Sequence, residues 1–167
     1  MSEKVISESV NSRSVDLALG YARRFQDLGV YKKSRALARE VFRASQGFPS
    51  EEKFSLTDQL RRSSRSIGAQ IAEAWAKRRY EKHFVSKLID ADGEQLETQH
   101  WLTSAYDCGY LTRDEAQRLG ALCLEFGRML GQMMLKLDQF CQSGTDQLRE
   151  DVTEYGDEDP ATLLTDN

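Results

Sequence analysis

The side chains best able to do chemistry in this chain are basic, and they are concentrated in its middle. Residues 31–88 hold 14 Lys or Arg against 6 Asp or Glu, a local balance of +8. Cations clustered on one face displace counterions from a nucleic acid and bind it in a salt-dependent way. We therefore expect an RNA- or DNA-binding surface that uses these groups: Lys32, Lys33, Arg35, Arg39, Arg43, Lys77, Arg78, Arg79 and Lys82.

Internal ion pairing is the alternative use of the same charges. A run of acidic residues, Asp90 to Glu97, follows the basic stretch, and an antiparallel neighbouring helix would set it beside Arg61, Arg62 and Arg65. For these three arginines we favour pairing, whereas for Lys77–Lys82 both uses stay open. The residues expected in structural ion pairs are Arg61, Arg62, Arg65, Glu73, Asp90, Glu94 and Glu97.

The sequence offers no recognisable catalytic or metal-binding set. Glu73 would need a second carboxylate or a His to act as a general acid, and we expect it to pair with an arginine such as Arg62. His83 and His100 lie 17 residues apart, which does not place two ligands on one helical face. No Gly-rich loop indicates nucleotide binding. We expect a protein that is not an enzyme and that takes no cofactor or metal.

The cysteines and the hydropathy indicate the compartment. The three cysteines are odd in number and lack C-x-x-C spacing, which favours a reducing cytoplasm over a disulfide framework. The first residues have no apolar core of the signal-peptide type. No run approaches the roughly 20 apolar residues of a membrane span. We expect a cytoplasmic protein with no membrane partner.

Four helices would position the basic residues. The first is predicted over Gly29–Gln46, and the second carries Gln59–Tyr80 and ends near Lys77–Tyr80. The third is predicted over Glu81–Cys108. A capping box at Thr112–Glu115 starts the fourth, which runs to about Phe140. Between the first two, Gly47 and Pro49 stop one helix and Ser50 is expected to cap the next.

Apolar residues at helical spacing indicate how these helices pack. The second helix has a seam at Leu60, Ile67, Ile71 and Trp75. The inner face of the first helix is predicted at Tyr31, Ala38, Val41, Phe42 and Ser45. In the fourth helix a second apolar row, which we expect to face a neighbour outside the fold, consists of Cys123, Leu130 and Met134.

These elements predict an all-α protein, an antiparallel up-down four-helix bundle, since no strand-like alternation is present. The bundle would cover residues 28–142. Residues 1–27 would form an N-terminal arm, partly disordered or a short helix. Residues 143–167, with 1 basic and 8 acidic groups, would form an acidic disordered tail, which could screen the basic surface and compete with nucleic acid.

Six short motifs follow one another along the chain: Phe48-Pro49, Gln59-Leu60-Arg61-Arg62, Ser66-Ile67, Ile71-Ala72-Glu73, Leu96-Glu97-Thr98-Gln99 and Gly109-Tyr110-Leu111. This ordered set resembles the bacterial four helix bundle protein family, also called 23S rRNA intervening-sequence proteins. The resemblance covers about Leu28 to Phe140.

The resemblance implies an up-down bundle that assembles as a homopentamer. A similar bundle is the accessory protein of diversity-generating retroelements, which works with a reverse transcriptase and nucleic acid. The expected partners are therefore further copies of the chain, RNA or DNA, and a nucleic-acid enzyme encoded nearby. A protein scaffold without nucleic-acid binding is the alternative. The chain departs from the family at Ala74, where Gly is usual, and in its more acidic third helix.

Overall fold

The structure, a computed structural model, describes residues 22–141. Its four α-helices are α1 (Gly29–Ala44), α2 (Asp58–Ala76), α3 (Glu81–Asp107) and α4 (Arg113–Leu135). The described part contains no strand. The predicted all-α class is confirmed. Residues 1–21 of the predicted arm and the predicted acidic tail lie outside the described residues.

Helix ends follow local chemistry at the α3–α4 connection. Gly109 has φ +76°, the left-handed conformation that favours glycine after a helix. The Tyr110 N–H then donates to the Ala105 carbonyl oxygen over 2.9 Å. At the start of α4, Thr112 Oγ1 accepts from the Glu115 N–H and the Glu115 carboxylate accepts from the Thr112 N–H. The capping box is confirmed.

Polar contacts show the order in which α2 and α3 meet. Near the start of α2, the Ser63 hydroxyl oxygen lies 3.0 Å from that of Thr98, late in α3, whereas Gln70 Oε1, later in α2, accepts from Lys87 Nζ, early in α3, over 3.1 Å. These two helices therefore run in opposite directions, as sequential helices of a bundle do. Gln95 Nε2 of α3 donates to the Cys123 carbonyl oxygen of α4 over 3.2 Å.

All four helices contribute fully buried side chains to one core, with Trp75 of the predicted α2 seam also buried. Interiors are close-packed, so these residues fix the spacing of the helices and with it the position of every surface group. The largest of them are Phe84, Phe126, Leu37, Leu60, Ile67, Ile71, Leu88, Leu119 and Leu130.

The predicted inner face of α1 is confirmed at Val41 and Ser45, and each of the other three predicted positions is one residue past a buried one. The buried positions are Val30, Ser34, Leu37, Val41 and Ser45, at steps of four, three, four and four. Ser34 interrupts the apolar pattern of this stripe although it is buried, with its hydroxyl donating to a backbone carbonyl over 2.7 Å. Phe42, predicted to face inward, is instead 40% exposed.

The segment that links α1 to α2 also differs from the prediction. Ser45–Gly47 and Ser50–Glu52 are 3₁₀ turns, and Lys53–Thr57 forms a π-turn before α2 begins. Ser50 is therefore not the cap of an α-helix, and α2 starts eight residues after it. The break between α2 and α3 lies at residues 77–80, as predicted, although no Gly or Pro is present there.

The second apolar row of α4 lies inside the fold. Cys123 and Leu130 are fully buried and Met134 packs against the core, so the expectation that this row faces an outside neighbour was wrong. The α-helix ends at Leu135, and a 3₁₀ turn at Leu137–Gln139 follows. None of the helices in residues 22–141 is long and apolar enough to cross a membrane.

Candidate nucleic-acid interface

A groove rich in arginine runs between α1 and α2. We call it the arginine groove; it has a volume of about 660 Å³. Among the described residues that line it, four are arginines and none is acidic. Its floor is apolar or small, and its sides are cationic. The lining residues are Tyr31, Ser34, Arg35, Ala38, Arg39, Phe42, Arg43, Gln46, Ser64, Arg65, Gly68 and Ala69.

The geometry of α1 explains the row of charges. Arg35, Arg39 and Arg43 recur every four residues and so share one side of the helix, at intervals of about 6 Å along its axis. The buried stripe of α1 packs on the core, which leaves this row on the side that borders α2. The three arginines expected to bind nucleic acid on α1 therefore lie together.

Phe42 lies in the groove against two guanidinium groups from α2. The Arg61 guanidinium carbon is 4.8 Å from the ring centre and that of Arg65 is 5.8 Å away. Arg61 Nε also donates to Ser45 Oγ over 2.7 Å, which fixes the side chain beside the ring. Such cation–π contacts contribute about 0.5–1 kcal/mol at exposed sites.

This arrangement differs from the pairing expected for the first and third of the α2 arginines. Arg61 and Arg65, four residues apart, face α1 and Phe42 instead of the acidic residues of α3. Arg62 points another way and its Nη2 donates to Gln59 Oε1 over 3.1 Å. Burial mainly, and then Glu97, raises the pKa of Glu94, and the charge of Arg62 opposes this rise.

The remaining acidic residues are paired with other partners. Glu73 and Asp90 both lie against Lys87, at 2.9 and 3.1 Å, so the expected ion pairs form with a lysine of α3 and not with an arginine. Hydrogen bonding from Lys87 lowers the pKa of Glu73. Glu97 Oε1 accepts from the Trp101 indole N–H over 3.0 Å.

Other basic residues of α1 face α4. Lys33 forms an ion pair with Glu125 at 2.7 Å, while Lys32 is exposed. Glu40 bridges Arg118 of α4 and Arg43, one of the four groove arginines, so the charge of Arg43 is partly neutralised within the fold. The hydrogen bond from Arg118 is the main cause of the lowered pKa of Glu40. Lys33 is thus partly neutralised and lies away from the groove.

The corner between α2 and α3 holds the other predicted cations. Lys77 Nζ lies 3.8 Å from a Glu73 oxygen. The Arg78 guanidinium covers the Trp75 ring at 4.3 Å, and its Nη1 donates to the Trp75 carbonyl oxygen over 2.9 Å. Arg79 and Lys82 are exposed. These four residues do not line the arginine groove.

The described residues give no geometry for metal or acid–base chemistry. No three His, Cys, Asp or Glu side chains between residues 22 and 141 come together as metal ligands. The carboxylates with lowered pKa, Glu40, Glu73 and Glu115, owe the shift mainly to partners within the fold: Arg118, Lys87 and Thr112 respectively. These described carboxylates are therefore used in contacts within the fold.

Sequence reasoning missed Phe42 and Arg65 as members of the candidate site. A signal was available for Phe42, because the stripe that contains Leu37 and Val41 leaves no place for it on the buried side of α1. For Arg65 no signal existed, since its position depends on which side of α2 packs against α1.

The fold and the groove define the class of this protein: a small helical bundle whose described part carries a groove lined with arginine. Residues 26–132 match the model of the family described as 23S rRNA-intervening sequence protein. The chain belongs to this family, as its motifs indicated.

A solved relative has the same fold. It is a crystal structure of a protein of unknown function from the S23 ribosomal protein family, from Bacteroides thetaiotaomicron VPI-5482. The similarity has a TM-score of 0.58 at 29% identity and covers 64% of this chain and 96% of the relative. No curated protein matches the chain.

Proposed function

We propose that this protein is a non-enzymatic homo-oligomer that binds RNA or DNA through the arginine groove. The observation that carries the proposal is the charge of the groove: four arginines and no acidic residue among the described lining residues. Guanidinium groups recognise phosphate with paired hydrogen bonds and stay charged at all physiological pH values. The other predicted cations would add a diffuse attraction.

A binding role fits the groove better than a catalytic one. Its polar lining consists of guanidinium, hydroxyl and amide groups, and no carboxylate or imidazole among the described lining residues could act as a general acid or base. The proposed function is therefore to hold or shield a nucleic acid. The resemblance suggests a nucleic-acid enzyme encoded nearby as the protein partner.

The proposed assembly is a homopentamer, by the family resemblance. Exposed apolar side chains on α3 support self-association: Ile89 and Leu96 are 57% and 56% exposed and lie two helical turns apart on one face. An apolar face rimmed by polar residues is typical of a protein–protein interface. A ring would repeat the groove around an axis, and each additional bound site would increase avidity.

The experiment is a salt titration of binding. A labelled single strand of 20 nucleotides, as RNA and as DNA, is titrated with full-length protein between 50 and 200 mM KCl. The variant Arg39→Gln with Arg65→Gln removes two groove cations. We expect weaker binding and a salt slope smaller by about 1.4, since each lost single-strand contact contributes about 0.7.

The matched control removes two cations elsewhere, in Arg113→Gln with Lys136→Gln, neither of which lines the groove. It should leave the slope nearly unchanged. Absence of binding at 50 mM KCl would overturn the proposal, and so would an equal effect of the two double variants.

A protein scaffold without nucleic-acid binding is the second candidate. It is favoured by the internal pairs that neutralise several predicted cations, namely Lys33 with Glu125, Arg43 with Glu40 and Lys77 with Glu73. In a scaffold, the groove would bind a partner protein. The scaffold function requires that the salt titration detect no binding of the RNA or DNA strand.

A further inference from the structure

We propose that Phe42 is a stacking platform for an unpaired base and that the arginine groove takes a single strand in preference to a duplex. This inference rests on the proposed function and names its ligand class. It begins from an aromatic ring that is only partly covered. Phe42 is 40% exposed although it lies between α1 and α2, beside the guanidinium groups of Arg61 and Arg65.

An exposed aromatic ring is unfavourable in water, and the packing of the core does not require Phe42 at this position. The buried stripe of α1 is complete without Phe42, and the core closes over Leu37 and Val41. The ring therefore contributes a planar apolar surface to the groove floor, beside Ala38. A base has the same two properties, a flat face and little need for water on it, and stacks on such rings without regard to sequence.

The surroundings of the ring suit a nucleotide and not merely an apolar group. Arg61 is held by its bond to Ser45 Oγ, so one guanidinium is already fixed beside the ring before any ligand binds. Arg39 and Arg43 follow on either side of Phe42 along α1 and line the same groove. A base on the ring would thus place its phosphates near fixed or neighbouring cations.

The dimensions favour a strand. Along α1 the groove extends from Tyr31 to Arg43, a length of about 18 Å at 1.5 Å per residue. The groove lies between two helices that pack side by side, α1 and α2. A base can reach the ring in such a groove only when it is unpaired and turned out of a helix.

The test separates stacking from charge. Binding of full-length protein is measured with a 12-nucleotide thymidine strand and with the same strand carrying six central abasic sites, which keep every phosphate. The variant is Phe42→Leu, which retains an apolar side chain and removes the ring. We expect it to weaken binding of the thymidine strand roughly tenfold and to leave binding of the abasic strand unchanged.

Phe54→Leu is the matched control. Phe54 is 76% exposed and has a cation, Lys53, 5.2 Å from its ring centre, but it does not line the groove. It should bind both strands as the unmodified protein does. Thermal unfolding of each variant confirms that the fold is retained.

The outcomes distinguish this inference from the proposed function. If Phe42→Leu binds the thymidine strand as tightly as the unmodified protein does, the stacking platform is overturned and the proposed function stands. An equal loss for both strands would mean that the ring only positions Arg61 and Arg65, which also overturns it. If the unmodified protein binds neither strand, the proposed function fails and the inference falls with it.

Discussion

The hydroxyl oxygens of Ser63 and Thr98 lie 3.0 Å apart in the interface between α2 and α3, where both residues are buried. Each also reaches a carbonyl oxygen of its own helix, Leu60 at 3.2 Å and Glu94 at 2.8 Å. Two small hydroxyl residues therefore face each other where larger ones would separate the helices. The pair satisfies its own polar groups, as burial demands.

The two hydroxyls should be energetically coupled. Thr98→Val keeps the shape and removes the hydroxyl, and Ser63→Ala removes its partner; we expect each to lower the free energy of unfolding by about 1 kcal/mol. The double variant should lose less than the sum, because the shared bond is counted once. Urea unfolding of the four proteins measures the coupling. Strict additivity would contradict it.

Thr103→Val is the control for this cycle. Thr103 is exposed and its hydroxyl bonds only within its own helix, to Gln99. A surface change of this kind should alter the free energy of unfolding by less than about 0.5 kcal/mol.

The bridge from Glu40 to Arg43 and Arg118 should make stability depend on pH. Folding lowers the pKa of Glu40 below its ordinary value of 4.5, so the ionised carboxylate stabilises the folded state. That contribution is complete above about pH 4.5 and is lost as the pH falls through the lowered pKa. Glu40→Gln should cost about 0.5–1 kcal/mol at pH 7, since both arginines are largely exposed.

Urea unfolding at pH 7 and pH 3 tests this dependence. The difference between Glu40→Gln and the unmodified protein should shrink at pH 3. Glu51→Gln, an exposed carboxylate in the 3₁₀ turn before α2, is the comparison. A loss for Glu40→Gln that is as large at pH 3 as at pH 7 would show that the charge is not its source.

Two glycines should respond to alanine with opposite signs. Gly109→Ala forces a side chain into a left-handed conformation, φ +76°, and should cost about 1 kcal/mol. Gly120 is helical, and a Cβ there would meet no atom within 4 Å. Gly120→Ala should stabilise by about 0.5–1 kcal/mol through helix propensity. Thermal unfolding shows the sign, and the same sign for both would refute the assignment of the α3 end.

The exposed face of α3 should control self-association. Ile89→Asp with Leu96→Asp introduces two charges on this face and should lower the sedimenting mass while the helical content is retained. Leu135→Asp, at the end of α4 where the side chain is 78% exposed, is the matched change on another surface. If the unmodified protein sediments as a monomer, or if the double variant keeps the oligomer mass, the proposed assembly through this face is rejected.

The sequence predicted the elements of the fold because their signals are local. Thr112 and Glu115 show the start of α4, and Gly109 shows the end of α3. The α2–α3 break lies at residues 77–80, where the sequence predicted it, although Ala74 stands where the family usually has glycine. Ala74 is fully buried, so its methyl group contributes to the core.

The candidate site was predictable only in part. Charge clustering indicated Arg35, Arg39 and Arg43, which the structure brings together. The approach of Arg65 depends on how α2 rotates against α1, which no local pattern determines. Because Ser34 is buried although it is polar, part of the buried stripe of α1 was predicted one residue too late, and Phe42 was assigned to the core.

The thiol of Cys123 has a consequence for measuring motion in this protein. It is fully covered in the core, and burial raises its pKa to about 12, so a thiol reagent cannot modify it while α3 and α4 stay together. The rate of its labelling in native buffer is then set by how often these helices part. The labelling rate of Cys123 therefore reports how often α3 and α4 separate in the native protein. Slower labelling after a ligand is added would show that the ligand stabilises the closed bundle.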